Sequence, residues 1–259
     1  MNITEDGVTV GNISITEDGV TLGSISITED GIRRTAPNRT RRPYRYKPAY
    51  GFFDFGFNSY GQDMFRHNLP EDYKGMELSQ NTSFVMNFNV AQYGFHLTGN
   101  QNNALGLGVG LGLGWNIYRF LEPKMIIGKE DGLFAINPYE GEQEREFSKS
   151  RLQSSWLKAP VYLQYRNRKG FHVAAGVVGN VRLGASSKQV YTYTGRSGKQ
   201  KDKGKDDFYL NGFRVDTEMR MGYKNVTAFA TYSLTDMFLK NRGPELTPFS
   251  FGVSLFIYD

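Results

Sequence analysis

Bulky apolar residues and glycines alternate without a break from Leu105 to Trp115, a segment that reads LGLGVGLGLGW. A period of two is that of a β-strand, because successive side chains leave opposite faces. The pattern predicts a strand whose bulky face meets lipid and whose glycine face lines a narrow lumen that other side chains fill. An internal strand of a soluble sandwich is the alternative. The residues predicted to face lipid here are Leu105, Leu107, Val109, Leu111, Leu113 and Trp115.

Similar alternation recurs along the chain after residue 50. We predict strands at residues 51–58, 83–97, 104–120, 152–166, 171–183, 208–223, 226–234 and 249–258. Eight is an even number, which suits a closed antiparallel barrel. In the second of these segments the apolar parity changes near Val90, which predicts a β-bulge.

The connections between these strands are alternately long and short. The long ones cover residues 59–82, 121–151, 184–207 and 235–248. This alternation is typical of outer-membrane barrels, which have short periplasmic turns and long external loops. The predicted fold class is therefore all-β: an eight-stranded antiparallel transmembrane β-barrel over residues 50–259, with both ends of the chain in the periplasm.

Two of the long loops have distinctive compositions. The loop at 121–151 carries Phe134, Ile136, Tyr139 and Phe147, and is long enough to fold on itself or on a neighbour. The loop at 195–207 is rich in glycine and charge, and we predict that it is mobile.

The chain ends on a strand with alternating aromatic and aliphatic residues. This strand resembles the signal that the barrel-insertion machinery reads. The residues of one parity, which we predict to face lipid, are Phe249, Phe251, Val253, Leu255 and Ile257.

Residues 1–32 consist of a twelve-residue repeat, ITEDGVTVGNIS, followed by a near copy and a partial third unit. The pairs Asp6-Gly7, Asp18-Gly19 and Asp30-Gly31 are signals for type I′ turns between β-branched residues. Each unit could form a small hairpin or one rung of a β-stack. The segment is either a flexible extension or a periplasmic arm that pairs with the sheet edge of a partner and becomes ordered only there.

Residues 33–49 are basic and contain three prolines, which predicts a linker. It is either a solvated tether or a segment that contacts lipid phosphates. The candidate phosphate contacts are Arg33, Arg34, Arg39, Arg41, Arg42, Arg45 and Lys47.

Composition narrows the function classes. The chain has no cysteine, which excludes disulfides and thiolate metal sites. It has no apolar run of about 18 residues, as a membrane-spanning helix would need. Its N-terminus lacks the basic and apolar regions of a signal peptide, so on export such a peptide would have been removed or replaced. The net charge of +5 suits an anionic lipid surface as well as nucleic acid, and the sequence shows no nucleic-acid motif.

Charged residues occupy the parity opposite to the apolar face on several strands. A charge in lipid costs roughly 2–4 kcal/mol near the midplane, so these groups should face the lumen and pair there. We predict a closed plug of salt bridges, with a narrow ion path as the alternative. The predicted lumen network comprises Asp54, Lys158, Arg166, Arg182, Arg214, Asp216, Glu218 and Arg220, with Asn180 also inward.

Catalysis has little support in the sequence. His67 lies in the first long loop, and His96 and His172 lie near the periplasmic ends of their strands. We find no nucleophile placed beside a base and no metal-ligand spacing such as HxxxH. The expectation is a protein without cofactor or metal, and not an enzyme.

Three segments resemble the PorT-like outer-membrane β-barrel family of Bacteroidota. They are YGFFDFGFNSY, NVAQYGFHLTGN and GLGLGWNIYRF, and the resemblance covers about residues 50–259. It implies an outer-membrane barrel of accessory type, since known relatives include one needed for type 9 secretion. The expected function is a structural or accessory subunit that binds other envelope proteins through its loops and N-terminal arm. A small pore or ligand carrier is the first alternative, and an outer-leaflet lipid-modifying enzyme the second.

Overall fold

A computed structural model gives the fold of the chain. It describes residues 51–61, 75–97, 103–140, 145–194 and 198–255, together with the backbone of six strands between residues 2 and 34. The chain divides into two compact units, 1–45 and 46–259.

The N-terminal unit is a six-stranded antiparallel meander in which each strand pairs with the next. Each twelve-residue repeat supplies two strands. The strands are β1 (Asn2–Thr4), β2 (Gly7–Val10), β3 (Ile13–Thr16), β4 (Gly19–Leu22), β5 (Ile25–Thr28) and β6 (Gly31–Arg34).

A reversal between two strands occurs at each predicted Asp-Gly signal, but one residue earlier than predicted. Gly7 is the first residue of β2 and pairs with Thr4, and the same pairing recurs in the next two units. The register places β-branched residues opposite each other, as with Ile3 and Val8. Cross-strand pairs of this kind set the register of a sheet, and here they outweigh the local turn signal.

The predicted basic linker begins too early. Arg33 and Arg34 belong to β6 and pair with β5. The other five candidate phosphate contacts, Arg39, Arg41, Arg42, Arg45 and Lys47, lie outside the described residues.

The C-terminal unit is a closed antiparallel barrel of eight strands, as predicted. The barrel strands are β7 (Phe53–Tyr60), β8 (Phe84–His96), β9 (Asn103–Arg119), β12 (Arg145–Asn167), β13 (Phe171–Tyr193), β15 (Phe213–Tyr223), β16 (Val226–Ser233) and β17 (Pro248–Leu255). They pair in the order β12-β9-β8-β7-β17-β16-β15-β13, and pairing of β12 with β13 closes the sheet. Three further strands lie outside this ring: β10 (Met125–Glu130) and β11 (Leu133–Pro138) pair with each other, and β14 (Gln200–Lys205) pairs with β13. A short 3-10 helix at Gln80–Thr82 precedes β8.

The bulge predicted near Val90 is confirmed. The register between β8 and β9 shifts between Asn89 and Ala91, and Val90 is left unpaired. The apolar side chains before Val90 and those after it therefore lie on the same outer face, although they occupy opposite parities in the sequence.

Three strand boundaries differ from the prediction by five residues or more. Strands β12 and β13 run on well past the barrel wall, where β14 pairs with β13. The segment predicted to be a mobile loop thus contains a strand, because the extended edge of β13 supplies its hydrogen bonds. Strand β15 begins only at Phe213, since Phe208 and Tyr209 have φ values of 49° and 51° that end any strand geometry.

Among the described residues, no helix combines the length and the apolar character that crossing a membrane would require.

Candidate functional site

An ion pair between opposite sides of the barrel lies at the centre of the lumen. Arg220 on β15 donates from Nη1 and Nη2 to the two carboxylate oxygens of Asp54 on β7, at 3.1 and 2.7 Å. Its Nε donates to Glu218 at 2.6 Å. All three side chains are buried, and the bidentate geometry fixes the guanidinium in one plane.

The carboxylates of this cluster also accept hydrogen bonds from neutral groups. Ser254 and Asn87 donate to Asp54 at 2.6 and 3.3 Å. Thr231 donates to the second oxygen of Glu218 at 3.1 Å. Buried charges are tolerated when both pairing and hydrogen bonding are provided, and both are provided here.

A second ion pair lies nearer the long-loop end. Arg214 contacts Asp216 through Nε at 2.9 Å and through Nη2 at 3.1 Å. Asn180 donates to the same carboxylate at 2.9 Å. The guanidinium of Arg214 also lies over the ring of Trp156, 4.6 Å from its centroid. The inward position predicted for Asn180 is confirmed by its complete burial.

Lys158 is buried in the lumen and lines the same small cavity as Arg214 and Asp216. The inward charges at this level are three carboxylates, Asp54, Asp216 and Glu218, and three cations, Lys158, Arg214 and Arg220. Gly114 leaves the room that Lys158 occupies, since a Cβ there would come 2.9 Å from its Cδ. The glycines of β9 thus accommodate Lys158 at Gly114 and the ring of Tyr162 at Gly108.

The space left in the lumen is very small. A cavity beside Lys158 and Asn116 holds about 10 Å³. This is the volume that one water molecule needs. Side chains therefore fill the lumen at the level of Lys158, and a closed plug of the whole lumen stays a prediction.

Two of the predicted lumen residues lie outside the central network. Arg166 is buried near the short-turn end, opposite His172 in the register. Arg182 is only half-buried and donates to the backbone oxygen of Asp207 at 2.6 Å. Arg182 was wrongly placed in the network, because it lies at the rim, where a loop carbonyl is within reach.

The histidines do not assemble a catalytic site in the described part of the chain. His172 is completely buried, and its Nε2 lies 2.7 Å from the hydroxyl of Thr227, which is also completely buried. His96 is exposed at the rim rather than enclosed in the lumen. His67 lies outside the described residues, and the described residues hold no metal-binding cluster of acidic and histidine side chains.

An apolar cap closes the long-loop end of the barrel. All four long connections contribute to it, together with the ends of β7, β9 and β12. Its buried members are Tyr60, Met76, Leu78, Tyr118, Phe120, Ile127, Phe134, Ile136, Leu152, Phe208, Leu210, Met237, Phe238 and Leu246. Each long connection therefore contributes at least two buried side chains to one apolar cluster.

The hairpin of β10 and β11 contributes Ile127, Phe134 and Ile136 to the cap. Phe134 packs on Phe238 from another loop, with ring centroids 4.4 Å apart. The backbone N–H of Phe134 donates to the carbonyl of Arg242 at 2.7 Å, and Arg242 donates back to the carbonyl of Gly132 at 2.7 Å. Sequence reasoning did not identify this hairpin, although Asp131-Gly132 with positive φ at both residues is the turn signal that marks it.

A salt bridge joins the same hairpin to the loop before β15. Lys129 donates to Asp206 at 2.8 Å and contacts Asp207 as well. These bonds raise the pKa of Lys129, and the bond from Lys129 holds the pKa of Asp207 below its ordinary value.

The outer face of the barrel is an apolar belt. Among the predicted lipid-facing residues, Leu105, Leu111, Phe251, Val253 and Leu255 are exposed. Leu107, Val109, Leu113, Trp115 and Phe249 share that face and are half-buried by neighbouring side chains, while Ile257 lies outside the described residues. The belt continues on the other strands with exposed Phe55, Phe57, Phe88, Tyr93, Phe95, Val161, Leu163, Tyr165, Val173, Val177, Val181, Leu183, Phe213, Met219, Met221, Tyr223 and Val226.

The chain was compared with protein-family models, curated protein sequences and solved structures, and only the solved structures gave a match. No protein-family model matches the chain, and no curated protein sequence matches it. Among solved structures, the chain has a likeness to Ail, the attachment invasion locus protein of Yersinia pestis, with a TM-score of 0.30 and 8% sequence identity. The match covers 78% of this chain and 93% of that one.

Proposed function

We propose that the chain is an outer-membrane β-barrel. The observation that carries this proposal is the distribution of polar and apolar side chains, which is the reverse of that in a soluble protein. Ion pairs fill the inside of the barrel, and exposed apolar side chains cover its outside. The largest apolar patch of a typical soluble monomer covers about 300–600 Å². A belt contributed by all eight strands needs lipid or detergent around it. The cap lies on the external side, and the short turns and both ends of the chain lie in the periplasm.

Membrane insertion has a direct test. The folded chain in detergent should migrate differently on gels before and after boiling, and should show β-type circular dichroism. It should also float with zwitterionic lipid vesicles in a density gradient. A chain that stays monomeric and soluble without detergent contradicts the proposal.

Within that location, we propose a non-enzymatic structural or accessory role in which the barrel anchors surfaces that bind other envelope proteins. The plugged lumen and the apolar cap support this role over the pore or carrier, because neither leaves room for a solute. The fully buried pair of His172 and Thr227 supports it over a lipid-modifying enzyme, because no substrate could reach those atoms. The resemblance to PorT-like barrels of Bacteroidota agrees with this role.

The N-terminal sheet is the proposed docking element. Its outer strands β1 and β6 each have a free edge within the six-stranded sheet, and a sheet edge is a template for β-strand addition. The test is native purification from the outer membrane in mild detergent, with chemical crosslinking. The same crosslinked partner should be lost when residues 1–45 are deleted and retained when only the cap is altered. Recovery of the barrel alone at every salt concentration contradicts the accessory role.

A further inference from the structure

The barrel wall continues on one side into a small three-stranded sheet. Strands β12 and β13 extend past the apolar belt, and β14 pairs with β13 over Ser186 to Tyr191. The outer face of this sheet continues the lipid-facing side of the barrel, because Leu157, Ser155 and Gln153 alternate along β12 up to Arg151. A ligand that lies along the belt therefore meets this face next.

Six cationic side chains share this outer face. Arg151 pairs with Lys188, and Lys188 pairs with Lys203, so three cations lie side by side across the sheet. Two residues further along β13, away from the barrel, Val190 pairs with Lys149 on one side and Lys201 on the other. Two residues toward the barrel, Ser186 pairs with Lys205. We call Lys149, Arg151, Lys188, Lys201, Lys203 and Lys205 the basic ladder.

The basic ladder is not neutralised within the described residues. None of its six side chains takes part in an ion pair there. Asp202 pairs with Gln189, so it lies on the opposite face, where Arg145 reaches it at 3.9 Å. Glu146 lies beyond Lys149 at the tip of the sheet. The Nε of Arg151 is buried without a hydrogen-bond partner, and the charge of Arg151 lowers the pKa of Lys188.

Like charges in directly opposite positions destabilise a sheet. The three neighbouring cations Arg151, Lys188 and Lys203 repel one another, and a bound anion would remove this repulsion. An open hollow of about 300 Å³ lies at the foot of the ladder, lined by the polar side chains of Gln153, Ser155, Ser186 and Lys205 and by the apolar side chains of Leu183 and Ala185. Its lower wall is Leu183, which is 59% exposed and belongs to the apolar belt.

The height of the ladder above the belt indicates which anion it fits. At about 3.3 Å per residue and a strand tilt of about 40°, the ladder spans about 8–18 Å above Leu183. The headgroup layer of a phospholipid leaflet is only about 5–8 Å thick. Phosphates carried on the sugars of a glycolipid extend beyond that layer and cover this height.

We infer that the basic ladder binds the phosphate groups of a phosphorylated glycolipid of the lipopolysaccharide type, whose acyl chains lie against the adjoining apolar belt. This inference rests on the proposed membrane location. It identifies the lipid, and not another protein, as the ligand of this face. Phosphate is a strong acceptor for arginine and lysine, and closely spaced cations bind several phosphates together.

The test uses the full chain folded in detergent, with its heat-modifiable migration confirmed first. The probe is purified lipopolysaccharide, either native or chemically dephosphorylated, and the readout is the number bound per barrel by native mass spectrometry across a titration. The inference predicts that dephosphorylation weakens binding by about tenfold or more, and that binding of native lipopolysaccharide falls as salt rises. Equal binding of both probes would overturn it.

Variants at the two ends of the same strands provide a matched pair. Arg151→Glu/Lys188→Glu should weaken binding as much as dephosphorylation does, and Arg151→Gln/Lys188→Gln should show most of that loss without new repulsion. Arg168→Glu/Lys169→Glu reverses the same two kinds of charge in the exposed turn at the other end, and should bind as the unaltered chain does. Equal loss in both pairs would overturn the site.

Stability separates binding from a structural role. Arg151→Glu alone places a carboxylate opposite Lys188, so it should raise thermal stability while it lowers lipopolysaccharide binding. If the variant lost both thermal stability and lipopolysaccharide binding, the ladder would have a structural role instead of a binding role.

Soluble polyphosphate is the control for the source of the phosphate. If it bound more tightly than lipopolysaccharide and responded to the same variants, the inference that the ligand is a lipid would be overturned. A chain that inserts into vesicles but ignores lipopolysaccharide refutes this inference and leaves the barrel proposal intact.

Discussion

Arg220 and Asp54 join the barrel across its lumen through two parallel hydrogen bonds of 3.1 and 2.7 Å. Asp54 lies in the first strand of the barrel and Arg220 in the sixth, and β17 and β16 lie between these two strands in the sheet. Both side chains are almost fully buried, at 0% and 1% exposure. The pair thus links the curvature of this part of the sheet to neutralisation of the barrel interior.

The first prediction concerns this pair. Arg220→Met leaves the carboxylate of Asp54 buried without its main partner, and breaking a buried pair in this way costs about 3–5 kcal/mol. The free energy of unfolding, measured by urea titration of the folded barrel in detergent, should fall by that amount. Arg168→Met, at an exposed turn position, should change it by no more than about 0.5 kcal/mol. Similar values for both variants would show that the lumen network does not stabilise the barrel.

The second prediction compares two glycines of β13. A Cβ at Gly176 would contact the backbone oxygen of Val161 and lie 2.6 Å from the Cα of Tyr162, whereas at Gly179 its nearest neighbour is 3.9 Å away. Gly176→Ala should therefore destabilise the barrel by about 1–3 kcal/mol, the usual range for overpacking. Gly179→Ala should be neutral or slightly stabilising, because glycine weakens strand interiors. The measurement is the temperature at which the heat-modifiable form is lost. Equal shifts would contradict the described packing of β13 on β12.

The third prediction concerns the cap. Phe134 is 2% exposed and Leu133, the residue before it, is 44% exposed. Phe134→Ala should remove a large part of the cap packing, since burying such a side chain is worth about 3–5 kcal/mol. The expected result is fast hydrogen exchange and protease cleavage in the hairpin of β10 and β11, with the barrel strands still protected. Leu133→Ala should leave exchange unchanged. If the hairpin of β10 and β11 stayed protected from exchange and cleavage in Phe134→Ala, packing in the cap would not be what keeps the hairpin ordered.

The fourth prediction concerns pH. The pKa of Asp207 is lowered in the folded chain, so its contribution to stability is present above its unfolded value of about 3.9 and is lost as pH falls through the folded value. The pKa of Lys129 is raised, so its contribution is present below about 10.4 and is lost as pH rises through the folded value. Hydrogen exchange in β10 and β11, corrected for its intrinsic pH dependence, should stay constant between these limits and accelerate outside them. Lys129→Met should abolish the alkaline transition and weaken the acid one, because the backbone N–H of Tyr209 still donates to Asp207. An unchanged alkaline transition in that variant would assign it to another group.

The barrel could be predicted from sequence because its rules are local. Alternation at Leu105 to Trp115 identifies a strand and its two faces, and charges such as Asp54 and Arg220 identify the inner face because lipid excludes them. The bulge at Val90 is visible for the same reason. The positions of the strands, their order in the barrel and the assignment of polar and apolar faces all follow from the two-residue period and from the lengths of the loops.

The cap and the basic ladder could not be predicted in the same way. Phe134 and Phe238 come from different loops, and no periodicity links them. Phe208 and Leu210 alternate like strand residues, yet they turn into the cap because Phe208 and Tyr209 have positive φ. Strand β14 has no apolar pattern at all and forms because β13 extends beside it. These features depend on which loops meet in space, which a single sequence does not encode in its local pattern.

The most direct test of the central claim, a barrel sealed by ion pairs and an apolar cap, is single-channel recording of the full chain in planar bilayers. Insertion is verified on the same preparation by heat-modifiable migration and vesicle flotation. The account predicts an inserted protein with no reproducible conductance steps, because the lumen beside Lys158 holds only about 10 Å³. Reproducible steps of uniform size from the inserted barrel would contradict the sealed lumen and would favour the pore.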